Sequence, residues 1–156
     1  MKSKLTMTQL KRLINEADEE QLAEAVPSQE FINKIINFGC DLLMFGVESH
    51  IWHLNCDSNS AHLTLKEFYE GCDDIGDKLL ESALGLSGGY IENKPENKEY
   101  EFGNLEFDDK AISKIRWMGI QAAELIEECH NAGIENILAD FCELCNSVVY
   151  KLKRLK

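Results

Sequence analysis

Four long stretches of this chain carry apolar residues at three- and four-residue spacing, and the gaps between them run short, long, short. Apolar residues at i, i+3, i+4 and i+7 fall on one side of an α-helix, and such a stripe has to be buried against something. The first stretch, 29–54, places Phe31, Ile35, Phe38, Leu42, Phe45 and Trp52 on one face. The second, 60–86, does the same with Leu65, Phe68, Cys72, Ile75, Leu79 and Ala83. The third, 108–131, carries Ile112, Ile115, Gly119, Ala122, Ile126 and Cys129. After a predicted break at Gly133, the fourth carries Ile134, Ile137, Phe141, Leu144, Val148, Leu152 and Leu155.

Short connections force neighbouring helices antiparallel, whereas a long one lets the chain cross the bundle. The expected fold is therefore all-α: a ferritin-like antiparallel four-helix bundle over 28–156, with one long crossover over 86–108. That crossover contains the turn pair Gly88-Gly89, Pro95, and Gly103-Asn104 between two alternating triplets, which predicts a small hairpin. Ahead of the bundle, residues 1–27 form an N-terminal extension with a short acidic helix from Thr8 to about Ala25, anchored by Leu10, Leu13 and Leu22. Val26-Pro27-Ser28 ends it, since proline disfavours helix at the preceding residue and Ser28 can cap the next helix.

Hydrophobic residues make up 44% of the chain, enough for a packed core, and the net charge is -12. The basic cluster is confined to Lys151, Lys153, Arg154 and Lys156. A strongly acidic chain lacks the basic face of a nucleic-acid binder, so DNA and anionic membranes are excluded as expected partners while cations are favoured. No apolar run reaches membrane-spanning length and MKSKLTMTQL has no signal-peptide core, which predicts a cytoplasmic protein. The six cysteines lie mostly on apolar helical stripes and are expected to be reduced, buried thiols.

Three of the four histidines fall between residues 50 and 62, around the first short turn. His50 and His62 flank that turn and can approach each other there. Asp77 and Glu81, at i and i+4, share one helix face. His62 and Asp77 are on one helix, about 22 Å apart along its axis at 1.5 Å per residue. One chain cannot close all four around one ion. A second copy, antiparallel across a two-fold axis, could set its Asp77 and Glu81 against the first copy's His50 and His62. His53 is expected to be structural, with a role as a spare ligand as the alternative. Two further spacings are weaker: Glu127 with His130, and Cys142 with Cys145, whose zinc reading would need Cys129 and His130.

This pattern resembles the Dps-type miniferritins. They carry a histidine beside a tryptophan at the end of the first helix, a histidine early in the second, and an Asp-x-x-x-Glu pair later in it. The gaps from His50 to His62, Asp77 and Glu81 match, Leu84-Gly85 falls where the family carries Leu-Gly, and NAGIENILADFCELCNSVVYKLKRL is similar to its last turn and helix. The resemblance spans roughly Gln29 to Lys156. It implies an iron-binding or storage protein, handling Fe(II) and Fe(III), with weak ferroxidase activity. The metal ligands would be His50, His62, Asp77 and Glu81 between the subunits of a homo-oligomer. Besides lacking the basic N-terminal tail of some members, the sequence departs from the family at three points. Lys66 stands where an acidic ligand is usual and opposes a second iron. Ile51-Trp52-His53 follows His50. The crossover reads as a hairpin rather than a short helix. The alternative expectation is a metal-free bundle serving as a structural or interaction module, with a protein partner reached through the crossover.

Overall fold

The computed structural model describes residues 27–88, 102 and 106–154. The acidic helix expected at Thr8–Ala25 and the hairpin around Gly103-Asn104 lie outside the described residues. Within them are four helices and no strand: α1 (Gln29–Asn55), α2 (Asn59–Leu86), α3 (Asp109–Glu127) and α4 (Ala132–Arg154). All four begin on a side chain that accepts the otherwise orphaned first-turn N–H groups. Ser28 accepts from Phe31, Ser58 from Ala61, and Asp108 from Lys110 and Ala111.

The expected boundary between the last two helices is shifted. The third helix was expected to run to Asn131 and break at Gly133; α3 instead ends at Glu127 and α4 starts at Ala132. The cause is Asn131, whose Oδ1 accepts from the N–H groups of Gly133 and Ile134 and so caps α4. Gly133 sits inside the first turn of α4 rather than outside it.

Packing follows the predicted stripes: the apolar residues named for α1 and α2 are all buried, as are Ile112, Ile115, Ala122, Phe141 and Val148. Helix directions can be read from contacts far apart in sequence. In α1 and α2, Gly39 faces Gly76 so closely that a Cβ on either would stand 3.3 or 3.1 Å from the other's carbonyl oxygen. Lys34–Glu128 and Glu48–Lys114 set α1 antiparallel to α3, and Glu67–Lys151 with Gly71 against Leu144 sets α2 antiparallel to α4. Phe141 meets the Phe38 ring edge-on at 5.9 Å and lies 6.4 Å from Phe68, joining three helices at the core. Leu86 and Asp109 consequently stand at opposite ends of the bundle.

All six cysteines are free thiols. Cys72, Cys129 and Cys145 are buried, whereas Cys40, Cys56 and Cys142 are half-buried. Among the described residues no helix is long and apolar enough to cross a membrane.

Candidate functional site

The turn between α1 and α2 gathers four rings. The register that sets Gly39 against Gly76 also sets His53 against His62. Their rings stack with centroids 3.7 Å apart and planes 27° apart. Each backbone holds the other's ring: His53 Nδ1 lies 2.7 Å from the His62 carbonyl, and His62 Nδ1 lies 3.0 Å from the His53 carbonyl. Carbonyl oxygens only accept, so their positions assign the ring proton of each histidine to Nδ1. The His53 carbonyl belongs to the last turn of α1, where no further helical N–H reaches it. His62 and the Cys56 thiol, whose Sγ donates to it at 3.2 Å, satisfy it instead.

His50 takes a different partner from the one its spacing suggested. Its ring lies flat on Tyr69 at 4.1 Å and 15°, while His53 stands between it and His62, 5.7 Å from His50. Tyr69 also meets His53 edge-on at 5.4 Å. His53 is buried at 7% exposure, His62 is half-buried, and His50 is exposed. The residue expected to be structural is thus the centre of the cluster. Tyr69 was missed, although it lies seven residues after His62 on the same helix face.

The carboxylates occupy the other end of one outer stripe of α2: His62, Lys66, Glu70, Asp73, Asp77 and Glu81, all exposed except His62. Spacings of four, four, three, four and four keep these residues within roughly 100° of arc. Most neighbouring acids on α2 have a lysine: Glu70 pairs with Lys66 at 3.6 Å, Asp74 with Lys78 at 2.5 Å, and Glu67 with Lys151 at 2.6 Å. Asp77 and Glu81 have no ion-pair partner among the described residues. Within one chain, no three His, Cys, Asp or Glu side chains among the described residues gather to hold an ion.

Beside this stripe, α1 presents a second apolar face. Cys40, Met44, Val47, Ile51 and Leu54 recur at four, three, four, three, and Met44, Val47 and Leu54 are exposed, as is Leu63 at the start of α2. The first stripe of α1 already fills the core, so among the described residues this face is left over. The weaker spacings carry no site. His130 lies beyond the end of α3, so Glu127 and His130 do not share a helix face. Cys142 donates to the Gly119 carbonyl at 3.4 Å, and Cys129 Sγ to the Asn131 carbonyl at 3.3 Å. Burial, aided by the Cys142 thiol nearby, pushes Cys145 up to about 12, which keeps it a protonated thiol.

Sequence reading also missed Glu48, fully buried in α1 with its Oε2 2.5 Å from the Lys114 ammonium of α3. That ammonium lies 5.6 Å from the centre of the Phe45 ring.

These features define an all-α, antiparallel four-helix protein with a histidine–tyrosine cluster at one turn and a polar stripe along α2. Its family follows from a profile that matches residues 53–152: the chain belongs to DUF5856, a family of unknown function. No curated protein and no solved structure matches the chain.

Proposed function

We propose that this protein is a ferritin-like bundle that binds Fe(II) or a similar divalent ion between two copies of its α1–α2 hairpin. His50 and His62 of one copy would supply nitrogen, and Asp77 and Glu81 of the other would supply oxygen. The observation that carries this reading is the pair Asp77 and Glu81: exposed carboxylates that have no cation among the described residues, on a helix where Glu67, Glu70 and Asp74 each have one. Mixed nitrogen and carboxylate donors suit Fe(II), and the acidic surface draws cations toward them. The separation of imidazoles and carboxylates along α2 means that antiparallel pairing completes two equivalent sites at once. The leftover apolar face of α1 supplies the adhesion such pairing needs.

The test combines sedimentation with anaerobic Fe(II) calorimetry on the full chain. A dimer or larger assembly that binds Fe(II), and loses it in Asp77→Asn/Glu81→Gln, supports the reading. A strict monomer, or Fe(II) binding indifferent to that double substitution, refutes it. The second reading, a metal-free interaction module, is favoured by one observation: Lys66 extends into the same stripe and pairs with Glu70. Silence of wild type toward Fe(II), Co(II) and Zn(II) would select it.

A further inference from the structure

The outer face of α3 and α4 lies across the bundle from α1 and α2, and neither the core nor the two-chain site uses it. Its charged and apolar residues follow an order along the helices. In α3, residues seven apart fall nearly in line, because seven residues make almost two turns. One such line is Lys110, Trp117 and Glu124, and the next is Ser113, Ile120 and Glu127. Each runs from a polar or cationic residue through an apolar one to a carboxylate, and all six are exposed. Trp117 keeps 53% of its surface in solvent and Ile120 49%, so this is not the edge of the core.

The same order continues on α4. Its register against α3 is set at Gly119, where a Cβ would stand 3.1 Å from the Cys145 Cβ and whose carbonyl accepts from the Cys142 thiol. Lys153 and Arg154 therefore lie beside Lys110, the exposed Tyr150 follows one turn inward, and Glu135 lies beside Glu127. At the cationic end, over 109–116 and 147–154, Asp109 is the one exposed carboxylate of the two helices. At the other end, over 121–127 and 132–143, neither helix has a lysine or arginine. Among the described residues none of Lys110, Arg116, Glu124 and Glu127 has an ion-pair partner in its own chain.

A face that is cationic at one end, apolar in the middle and anionic at the other is complementary to itself turned end for end. A partner of one charge sign would be repelled by one end, whereas a second copy satisfies both. Lys110 and Glu127 stand seven residues to either side of Trp117 and Ile120. A two-fold axis running across the helices between that pair sets α3 antiparallel on its own copy. Lys110 of each chain then meets the acidic end of the other, and the apolar pair meets itself at the centre, where binding energy concentrates on residues such as tryptophan. A two-fold axis along the helices would instead set cations on cations.

We propose that α3 and α4 form a second self-association face, on which two copies of this chain pair antiparallel about Trp117 and Ile120. The face uses no imidazole and neither Asp77 nor Glu81, so it stands or falls separately from the metal reading. Because it lies opposite the α1–α2 hairpin, a chain that uses both faces builds an assembly larger than a dimer.

The experiment is sedimentation velocity on the full chain over a concentration series, with circular dichroism confirming the fold of each variant. Trp117→Ala should weaken self-association by about tenfold or more. Lys110→Glu/Arg116→Glu and Glu124→Lys/Glu127→Lys should each weaken it by about tenfold, because each sets like charges together in an antiparallel pair. An equimolar mixture of these two double variants should recover wild-type association, since the meeting charges are again opposite. Two reversals move the net charge of -12 by four units in either direction, so both variants stay acidic and general attraction does not bring them together. A monomeric wild type, association unchanged by Trp117→Ala, or a mixture no larger than its components overturns the proposal. Should Trp117→Ala fail to fold, the mixing experiment, whose changes are all at exposed positions, decides alone.

Discussion

The buried pair Glu48–Lys114 is the sharpest test of how this bundle is held together, because its two partners are unequal. Glu48 has no solvent exposure, while the Lys114 side chain keeps 31%. Replacing Lys114 by Met leaves a carboxylate in the core beside Phe45 without the ammonium 2.5 Å away. Removing one partner of a buried pair costs about 3–5 kcal/mol, and the partial exposure of Lys114 puts this case near the lower end, about 3 kcal/mol. Replacing Glu48 by Gln keeps the shape and leaves an ammonium that can reach water on its flexible stem, so the cost is about 1 kcal/mol. The double variant, with no buried charge, should be more stable than Lys114→Met alone. Urea unfolding followed by far-ultraviolet circular dichroism reads this: at roughly 1–3 kcal/mol per molar urea, the Lys114→Met midpoint falls by roughly 1–3 M. If Lys114→Met costs no more than Glu48→Gln, or if the two costs simply add, the carboxylate is not being held by that ammonium.

Five further outcomes are expected. The Cys145 thiol is raised from 9.0 to about 12 by burial first and by Cys142 second. A group with a raised folded-state pKa contributes fully below its unfolded pKa and loses that contribution as pH climbs. Stability should therefore fall by up to about 1.4 kcal/mol per pH unit above 9, and Cys145→Ala should flatten that slope in pH-dependent melts. Gly46→Ala should stabilise by up to about 1 kcal/mol, because the Cβ comes too close only to the exposed Asp73 carboxylate, which can swing away, and meets the Cys72 Cβ at an ordinary 3.4 Å. Gly76→Ala should destabilise by about 1–3 kcal/mol, because its Cβ would stand 3.1 Å from the backbone oxygen of Gly39; shifts of the same sign in both melts would contradict the packing. Lys66→Asp should raise the Fe(II) bound per chain in anaerobic calorimetry, and an unchanged stoichiometry would sink the opposing role of Lys66. Duplex DNA should not shift in a gel at physiological salt, since a chain of net charge -12 cannot rely on phosphate contacts.

The helices were legible because burial imposes a period on the sequence: Leu42, Phe68 and Ile115 could be assigned to the core from spacing alone. The α3–α4 boundary was misread because Gly133 is the louder signal, whereas the cap is the side chain of Asn131 two residues earlier. Glu48 was invisible for a different reason. A glutamate inside an apolar stretch reads as solvent-facing unless its partner is known, and that partner is 66 residues away. The candidate site falls between these cases. His50, His62, Asp77 and Glu81 could be picked out by type and spacing. That His53 rather than His50 lies against His62 depends on the facing register of α1 and α2, which Gly39 and Gly76 set by close approach. The second apolar face of α1, from Cys40 to Leu54, was readable in principle, but the stronger core stripe on the same helix masked it.

Charge along the outer stripe of α2 bears on how two copies would meet. One end carries His62 and Lys66, the other Asp73, Asp77 and Glu81, with Glu70 between them. Parallel pairing would set the acids of one copy against those of the other, at a cost that grows as water is excluded. Antiparallel pairing sets the imidazole and ammonium end of each copy against the acidic end of its partner. The proposed two-chain site requires this same orientation. Near the middle of the stripe Glu70 would meet its own copy, and the Lys66 ammonium 3.6 Å from it offsets that repulsion. Lys66 therefore has two opposed effects. In the proposed dimer it would favour antiparallel pairing, and it would repel a second cation beside His62. A protein built this way can gain stable pairing at the expense of ion capacity, so Lys66→Asp should load more Fe(II) while dimerising less tightly, with the dimer loss most evident at low salt where these charges are least screened.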